Sequence, residues 1–243
     1  MKDFVYCVDR NYIGPLGVSA RSLRFHNPDA RIHVLTREDI RDEIQEAVPG
    51  ADVIRCTGLE EYEFTDPQIS YITNTAMLKL LVPSYFEDCM FLDVDTIVEK
   101  DLSQLKVDHF GAVADPMIPR CLNNMLHLED LREFDDILTE PYFNSGVLVF
   151  HKADDIPEKA VSALKAHPGM KYIEQDILNL VMRHATEWLP FEYNYLTMDA
   201  RYPKSLMDSV PADRIWHFAG RDKPWNNRGL HQDVWRKYAD MNE

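Results

Sequence analysis

Two aspartates separated by one valine, Asp93-Val94-Asp95, end the apolar run Cys89-Met90-Phe91-Leu92. Side chains two apart along an extended strand point to the same face. Two carboxylates sharing a face repel each other unless a cation or protons lie between them. Their oxygens are hard ligands suited to Mg²⁺ or Mn²⁺. Composition weakens the triplet as a signal, because 25 aspartates would give roughly two or three Asp-x-Asp patterns by chance. This chain has one, and it stands where an apolar strand ends. Open α/β sheets bind ligands at the carboxyl ends of their strands, so the placement adds what the triplet lacks.

Three other segments carry matching chemistry. In "WHFAGRDKPW", His217 lies on a strand that Gly220 breaks, and Lys223 follows beside Pro224 and Trp225. A neutral imidazole is a metal ligand and an ammonium is a point charge suited to phosphate. With the carboxylate pair they would make a metal–diphosphate site, although each alone reads as a core histidine and a solvated loop lysine. In "YFNSGVLVF", Asn144 and Ser145 are polar at the entrance of an apolar strand, and Gly146 permits close backbone approach. They suit a polyhydroxylated ligand, or mark a β-bulge. In "YIEQDILNL", Glu174, Gln175 and Asp176 form the first turn of a helix whose apolar face is Ile177, Leu178, Val181 and Met182. Acids there offset the helix dipole, or bring a carboxylate and an amide to a reacting centre.

The elements that must position these groups alternate. Strands are predicted at 4–8, 31–36, 52–56, 90–92, 110–115, 142–151 and 214–219, and helices at 16–26, 38–48, 73–86, 156–166, 175–184 and 231–241. Such alternation signals a mostly parallel sheet with helices on its faces. Residues 116–141 are irregular and acidic, with a helix near 126–138, and read as an insertion over the site within one domain spanning 1–243.

Composition narrows the partners. The chain has 243 residues, 45% hydrophobic, and a formal net charge of −15. That charge argues against nucleic acid and against docking on anionic membrane by general attraction. Cys7, Cys56, Cys89 and Cys121 form no C-x-x-C pair and read as free thiols of a reducing compartment. No signal-peptide core and no apolar run near the ~20 residues of a membrane span is found, so a soluble cytoplasmic protein is expected.

"LDVDTIV", "FNSGVLVF", "EQDILN" and "HFAGRDKPW", in this order, resemble the signature segments of glycosyltransferase family 8. That family includes bacterial lipopolysaccharide galactosyl- and glucosyltransferases and glycogenin. The resemblance, from the first strand to "HFAGRDKPW", implies a GT-A fold with a single Rossmann-like sheet. It also implies retaining transfer of a hexose from a UDP-sugar, with Mn²⁺ as cofactor (Mg²⁺ as the alternative), to a glycan or lipooligosaccharide-type acceptor. Carried over by residue, Asp93, Asp95 and His217 would be metal ligands. Lys223 and the Gly220 backbone would face the diphosphate beside Val94. Asp9, Asn11 and Tyr12 would line the uridine pocket. Residues 69–74 and Lys79 would border the donor, and Asp115, Asn144 and Ser145 would touch its sugar. Gln175, with Glu174 and Asp176, would lie nearest the anomeric carbon.

Two positions depart from the family pattern: Met77 replaces a donor-contacting arginine, and Glu174 replaces the first aspartate of Asp-Gln-Asp. They support a rival reading as a UDP-sugar-binding protein without transfer. The other rival is a haloacid-dehalogenase-type phosphatase with Asp93 as nucleophile. Against it, three strands precede the one that ends at Asp93, and no convincing later Lys and Asp-Asp set is found, Asp135-Asp136 lying in the irregular insertion.

Overall fold

In a computed structural model, residues 1–61, 73–116, 141–167, 173–197 and 204–241 are described. The helix expected near 126–138, most of the 116–141 insertion, Cys121 and residues 69–72 of the donor-bordering loop lie outside them. Cys7, Cys56 and Cys89 are free thiols.

The first half alternates as its sequence does: β1 Asp3–Cys7, α1 Ile13–His26, β2 Arg31–Thr36, α2 Arg41–Ala47 and β3 Asp52–Arg55. Strand β4, Asp88–Leu92, leads to the short β5, Thr96–Val98, and β6 covers Phe110–Ala114. The long β7, Phe143–His151, precedes α3, Ile156–Ala166, and α4, Ile173–Met182. Then come β8 Glu187–Trp188, β9 Tyr195–Leu196, α5 Lys204–Ser209, β10 Ile215–His217 and α6 Gln232–Ala239. Asn74–Ser84, expected as an α-helix, follows 3-10 geometry and contains Pro83, which has no backbone N–H to donate.

The main sheet has seven strands in the order β3-β2-β1-β4-β7-β6-β8. Neighbours are parallel except at β7, which runs antiparallel to both β4 and β6. Apolar alternation divides its strands between two cores. Val5, Cys89, Phe91, Leu148 and Phe150 enter one, while Phe4, Tyr6, Met90, Leu92, Val147 and Val149 enter the other. Both faces are covered, which is why these strands read as continuous apolar runs.

A second sheet, in the order β5-β10-β9, was not foreseen from sequence. Its strands are two or three residues long, too short for a periodic signal. It is fixed to α1: the Val98 N–H donates to Ser22 Oγ at 2.9 Å, and Thr96 Oγ1 shares a hydrogen bond with Ser19 Oγ at 3.1 Å. The Asp-Val-Asp triplet links β4 of the main sheet to β5 of the second, and residues 189–194 link β8 to β9.

Candidate active site

The triplet forms a turn rather than a strand. The Asp93 N–H donates to Gly146 O at 2.8 Å, extending the β4–β7 ladder by one residue. Thr96 Oγ1 donates to Asp93 O at 2.8 Å and closes the turn. The aspartates thus converge by reversal of the chain, not by sharing one face of a strand. Antiparallel pairing of β5 with β10 sets His217 opposite Thr96, and the Phe218 N–H donates to Asp95 O at 2.9 Å. One ligand atom from each of Asp93, Asp95 and His217 then falls within 4.8 Å of the others. His217 Nε2 is 3.3 Å from Asp95 Oδ1 and 3.8 Å from Asp93 Oδ2. Two carboxylates and an imidazole nitrogen aimed at one point match a hard divalent cation with positions left for phosphate oxygens.

Gly146 makes room for that imidazole. A Cβ there would lie 2.1 Å from His217 Cε1, so no other residue fits without moving the ring. On its far side His217 Nδ1 hydrogen-bonds Asn194 Oδ1 at 2.8 Å. Asn194 is 1% exposed, at the end of a 3-10 turn leading into β9. Nothing local in the sequence marks it: "FEYNYL" has no periodicity, and its partner lies 23 residues away.

Two lysines balance the acids. Lys223 Nζ bonds Asp95 Oδ2 and donates to Phe218 O at 3.0 Å. Burial disfavours the Asp95 carboxylate, but Lys223 and His217 outweigh it and hold its pKa well below the usual aspartate range. Lys79, from the 3-10 stretch, is 2% exposed. Its Nζ lies 3.2 Å from Asp93 Oδ1, 3.4 Å from Glu174 Oε1 and 3.3 Å from Ser145 Oγ. Burial pushes its pKa down, and Asp93 and Glu174 override that and raise it.

Helix α4 forms the wall opposite. Asn179 clamps it to β7, accepting from the Phe143 N–H at 2.8 Å and donating to Phe143 O at 2.9 Å. One turn earlier, Gln175 Oε1 accepts from the Ser145 N–H at 2.9 Å and from Asn144 Nδ2 at 3.3 Å. Glu174 Oε2 is buried without a hydrogen-bond partner among the described residues. Asp176 faces another way: it is fully buried and accepts from Tyr142 OH at 2.5 Å.

A model described as Glycosyl transferase family 8 matches residues 3–229. The chain belongs to glycosyl transferase family 8. It is 25% identical to the lipopolysaccharide 1,2-glucosyltransferase of Escherichia coli K12, over 94% of this chain and 74% of that protein. To Glycosyltransferase GlyA of Streptococcus pneumoniae it is 21% identical over 98% of this chain but only 34% of the relative, about a third of its length. It matches the structure of galactosyltransferase LgtC in complex with donor and acceptor sugar analogs at a TM-score of 0.80 and 21% identity, covering 98% and 95% of the two chains. The fold is thus the GT-A type, and the protein is a glycosyltransferase. Neither the phosphatase reading nor the binding-only reading finds support in these similarities.

The remaining residues suggested by the family 8 resemblance lie around the same edge. Asp9, buried, caps the turn before α1 by accepting from the Asn11 N–H at 2.9 Å, while the Asn11 side chain is exposed. Tyr12 meets Trp225 edge-to-face at 6.2 Å. Its phenol pKa is raised by burial, then by the charges of Asp9 and Asp95. Gly220 has φ of +89°, which only glycine adopts readily. Val94 packs against the second core, and Asp115 is buried with its N–H bonded to Tyr142 O at 2.7 Å. Met77 is fully buried in the first core. Among the described residues, no helix is long and apolar enough to cross a membrane.

Proposed function

We propose that this glycosyltransferase moves a hexose from a UDP-sugar to a glycan-type hydroxyl with retention of configuration, using a divalent cation. The convergence of Asp93, Asp95 and His217 within 4.8 Å carries the reading. These residues would hold Mn²⁺, or Mg²⁺ by the same oxygen chemistry. Such a cation supplies Lewis-acid stabilisation of the departing diphosphate. Lys223, already the partner of Asp95, adds positive charge where that group leaves, and the Gly220 turn offers backbone to it. Asp9, Asn11 and Tyr12 border the uridine, and Asp115, Asn144 and Ser145 the sugar. Glu174 Oε2 lacks a donor among the described residues, and a sugar hydroxyl would provide one.

Retention requires either a covalent intermediate or attack from the leaving-group face. Gln175 Oε1 already accepts two hydrogen bonds, so its lone pairs are committed and it is a poor nucleophile. Same-face attack is the consistent route. The anomeric carbon–phosphate oxygen bond breaks, the acceptor oxygen bonds the same carbon, and the acceptor proton passes to a diphosphate oxygen. Gln175 positions the sugar and the Glu174 carboxylate supports its developing positive charge, while Lys79 holds Glu174 and Asp93 in place.

A thermal-shift panel of UDP-sugars with and without Mn²⁺ tests donor and metal together, since a ligand bound to the native state raises its apparent stability. The expected result is a shift that needs both components for one hexose. Anomer analysis of the product by NMR would overturn the mechanism if the linkage were inverted.

A further inference from the structure

The side-chain amides between α4 and His217 form a continuous chain whose polarity can be read without locating a hydrogen. It begins at two backbone N–H groups, which can only donate. The Ser145 N–H is 2.9 Å from Gln175, so that atom is the Gln175 oxygen. The Gly146 N–H is 2.9 Å from Asn144, so that atom is the Asn144 oxygen, and Asn144 must turn its NH₂ group to Gln175, as observed at 3.3 Å. The same Asn144 oxygen is 2.9 Å from Asn194, whose facing atom must therefore be nitrogen. That leaves the Asn194 oxygen for His217 Nδ1 at 2.8 Å, so Nδ1 carries a proton. Every orientation follows from the two peptide groups of Asn-Ser-Gly.

The consequence falls on Nε2, the nitrogen turned to Asp95 and Asp93. A neutral ring protonated at Nδ1 has its lone pair at Nε2, the form that ligates a metal. Metal-binding histidines commonly have their second nitrogen held by a hydrogen-bond acceptor, and losing that acceptor typically costs 10–100-fold in affinity or activity. We propose that Asn194 is a positioning residue that sets the ligand tautomer of His217 and ties it, through Asn144, to the orientation of Gln175. The inference rests on the metal-dependent reading given above. It makes metal ligand and sugar-side amide one mechanical unit. Asn144 Oδ1 is the junction, accepting from both Gly146 and Asn194.

Two variants separate the ends of the chain. Asn194→Leu removes the acceptor for Nδ1 and the donor to Asn144. The expected result is a roughly 10–100-fold loss of Mn²⁺ affinity, read by electron paramagnetic resonance in the absence of donor, together with a fall in kcat. Asn194→Asp still accepts from Nδ1 but cannot donate to Asn144. It should keep Mn²⁺ affinity while lowering kcat, with KM for the donor little changed. Long-range ¹H–¹⁵N imidazole spectra of the wild type, with Mg²⁺ and without metal, should show His217 Nδ1 protonated in both. A neutral ring protonated at Nε2, or undiminished Mn²⁺ affinity in a folded Asn194→Leu protein, would overturn the proposal. If wild type bound no Mn²⁺ that Asp93→Asn abolished, the metal reading would fall instead, and the imidazole spectra would still report on the relay.

Discussion

The two ends of the main sheet hold nearly the same chemical groups and use them differently. At the end where β1, β2 and β4 begin, His33 sits 2.9 Å from Asp3 and 3.4 Å from Asp52, Arg31 pairs with Asp3, and His151 pairs with Asp88. At the other end lie Asp93, Asp95, His217, Lys79 and Lys223. Either set would pass as a histidine–carboxylate cluster in a list of residue types. In the first, the pairs spread along the strand ends near water, His33 shared between Asp3 and Asp52, with Asp52 61% and Asp88 56% exposed at the side chain. Such pairs contribute little. In the second, the His217 and Lys79 side chains are each 3% exposed, and three ligand atoms lie within 4.8 Å of one another. What marks a site is convergence of like groups under burial, and that is a property of topology rather than of residue type.

The largest expected effect is at the convergent end. Asp95→Asn keeps the shape and removes the charge; kcat for transfer should fall about 10²–10³-fold, and Mn²⁺ binding with it, measured by product formation and paramagnetic resonance. Lys79→Met leaves Asp93 and Glu174 facing each other without their cation. A loss of about 3 kcal/mol in denaturant-induced unfolding is expected, the usual result of removing one partner of a buried pair. Gly146→Ala adds a Cβ where His217 lies and should cost about 1–3 kcal/mol and weaken Mn²⁺ binding, while the circular dichroism spectrum is retained.

At the opposite end, Asp3→Asn should cost less than about 1 kcal/mol and leave transfer unchanged. Burial disfavours the Asp3 carboxylate, but hydrogen bonds from Arg31 and His33 outweigh it and lower its pKa from the ordinary 3.8. Its contribution is therefore complete above that value and is lost as pH falls through the lowered one. The wild type's small advantage over Asp3→Asn in melting temperature should vanish in acid. A fall in transfer activity in Asp3→Asn would break the comparison, because it would make the exposed end functional.

The sequence was most legible where physics is local. Both-sided burial wrote β1, β4 and β7 as apolar runs, and the Pro49-Gly50 stop ended α2 within two residues of its predicted end. Asp93, Asp95, His217 and Lys223 were singled out because charged groups and an imidazole stand beside apolar strands, in segments whose order resembles family 8. What stayed hidden depends on meetings between distant segments. β5, β9 and β10 make a sheet only together, and Asn194 acquires its role from His217 and Asn144 rather than from any neighbour in sequence. Met77, where the family resemblance implied an arginine at the donor, is buried with Leu78 and Leu80 in the first core.

The reversed direction of β7 has a consequence for how the chain can vary. Leu92 pairs with Val147, and the next rung joins Asp93 to Gly146. This ladder works as a ruler: it counts the metal-side turn on one strand against the Asn-Ser-Gly segment on the other. Substitutions along it change one tooth at a time. A single-residue insertion in either strand slides the whole scale, turns its side chains to the opposite face, and moves Gly146 from beneath the imidazole. Length between Asp88 and Asp95, and between Phe143 and His151, should therefore be held more strictly than identity, and chains that gain or lose residues should do so in the loops beyond.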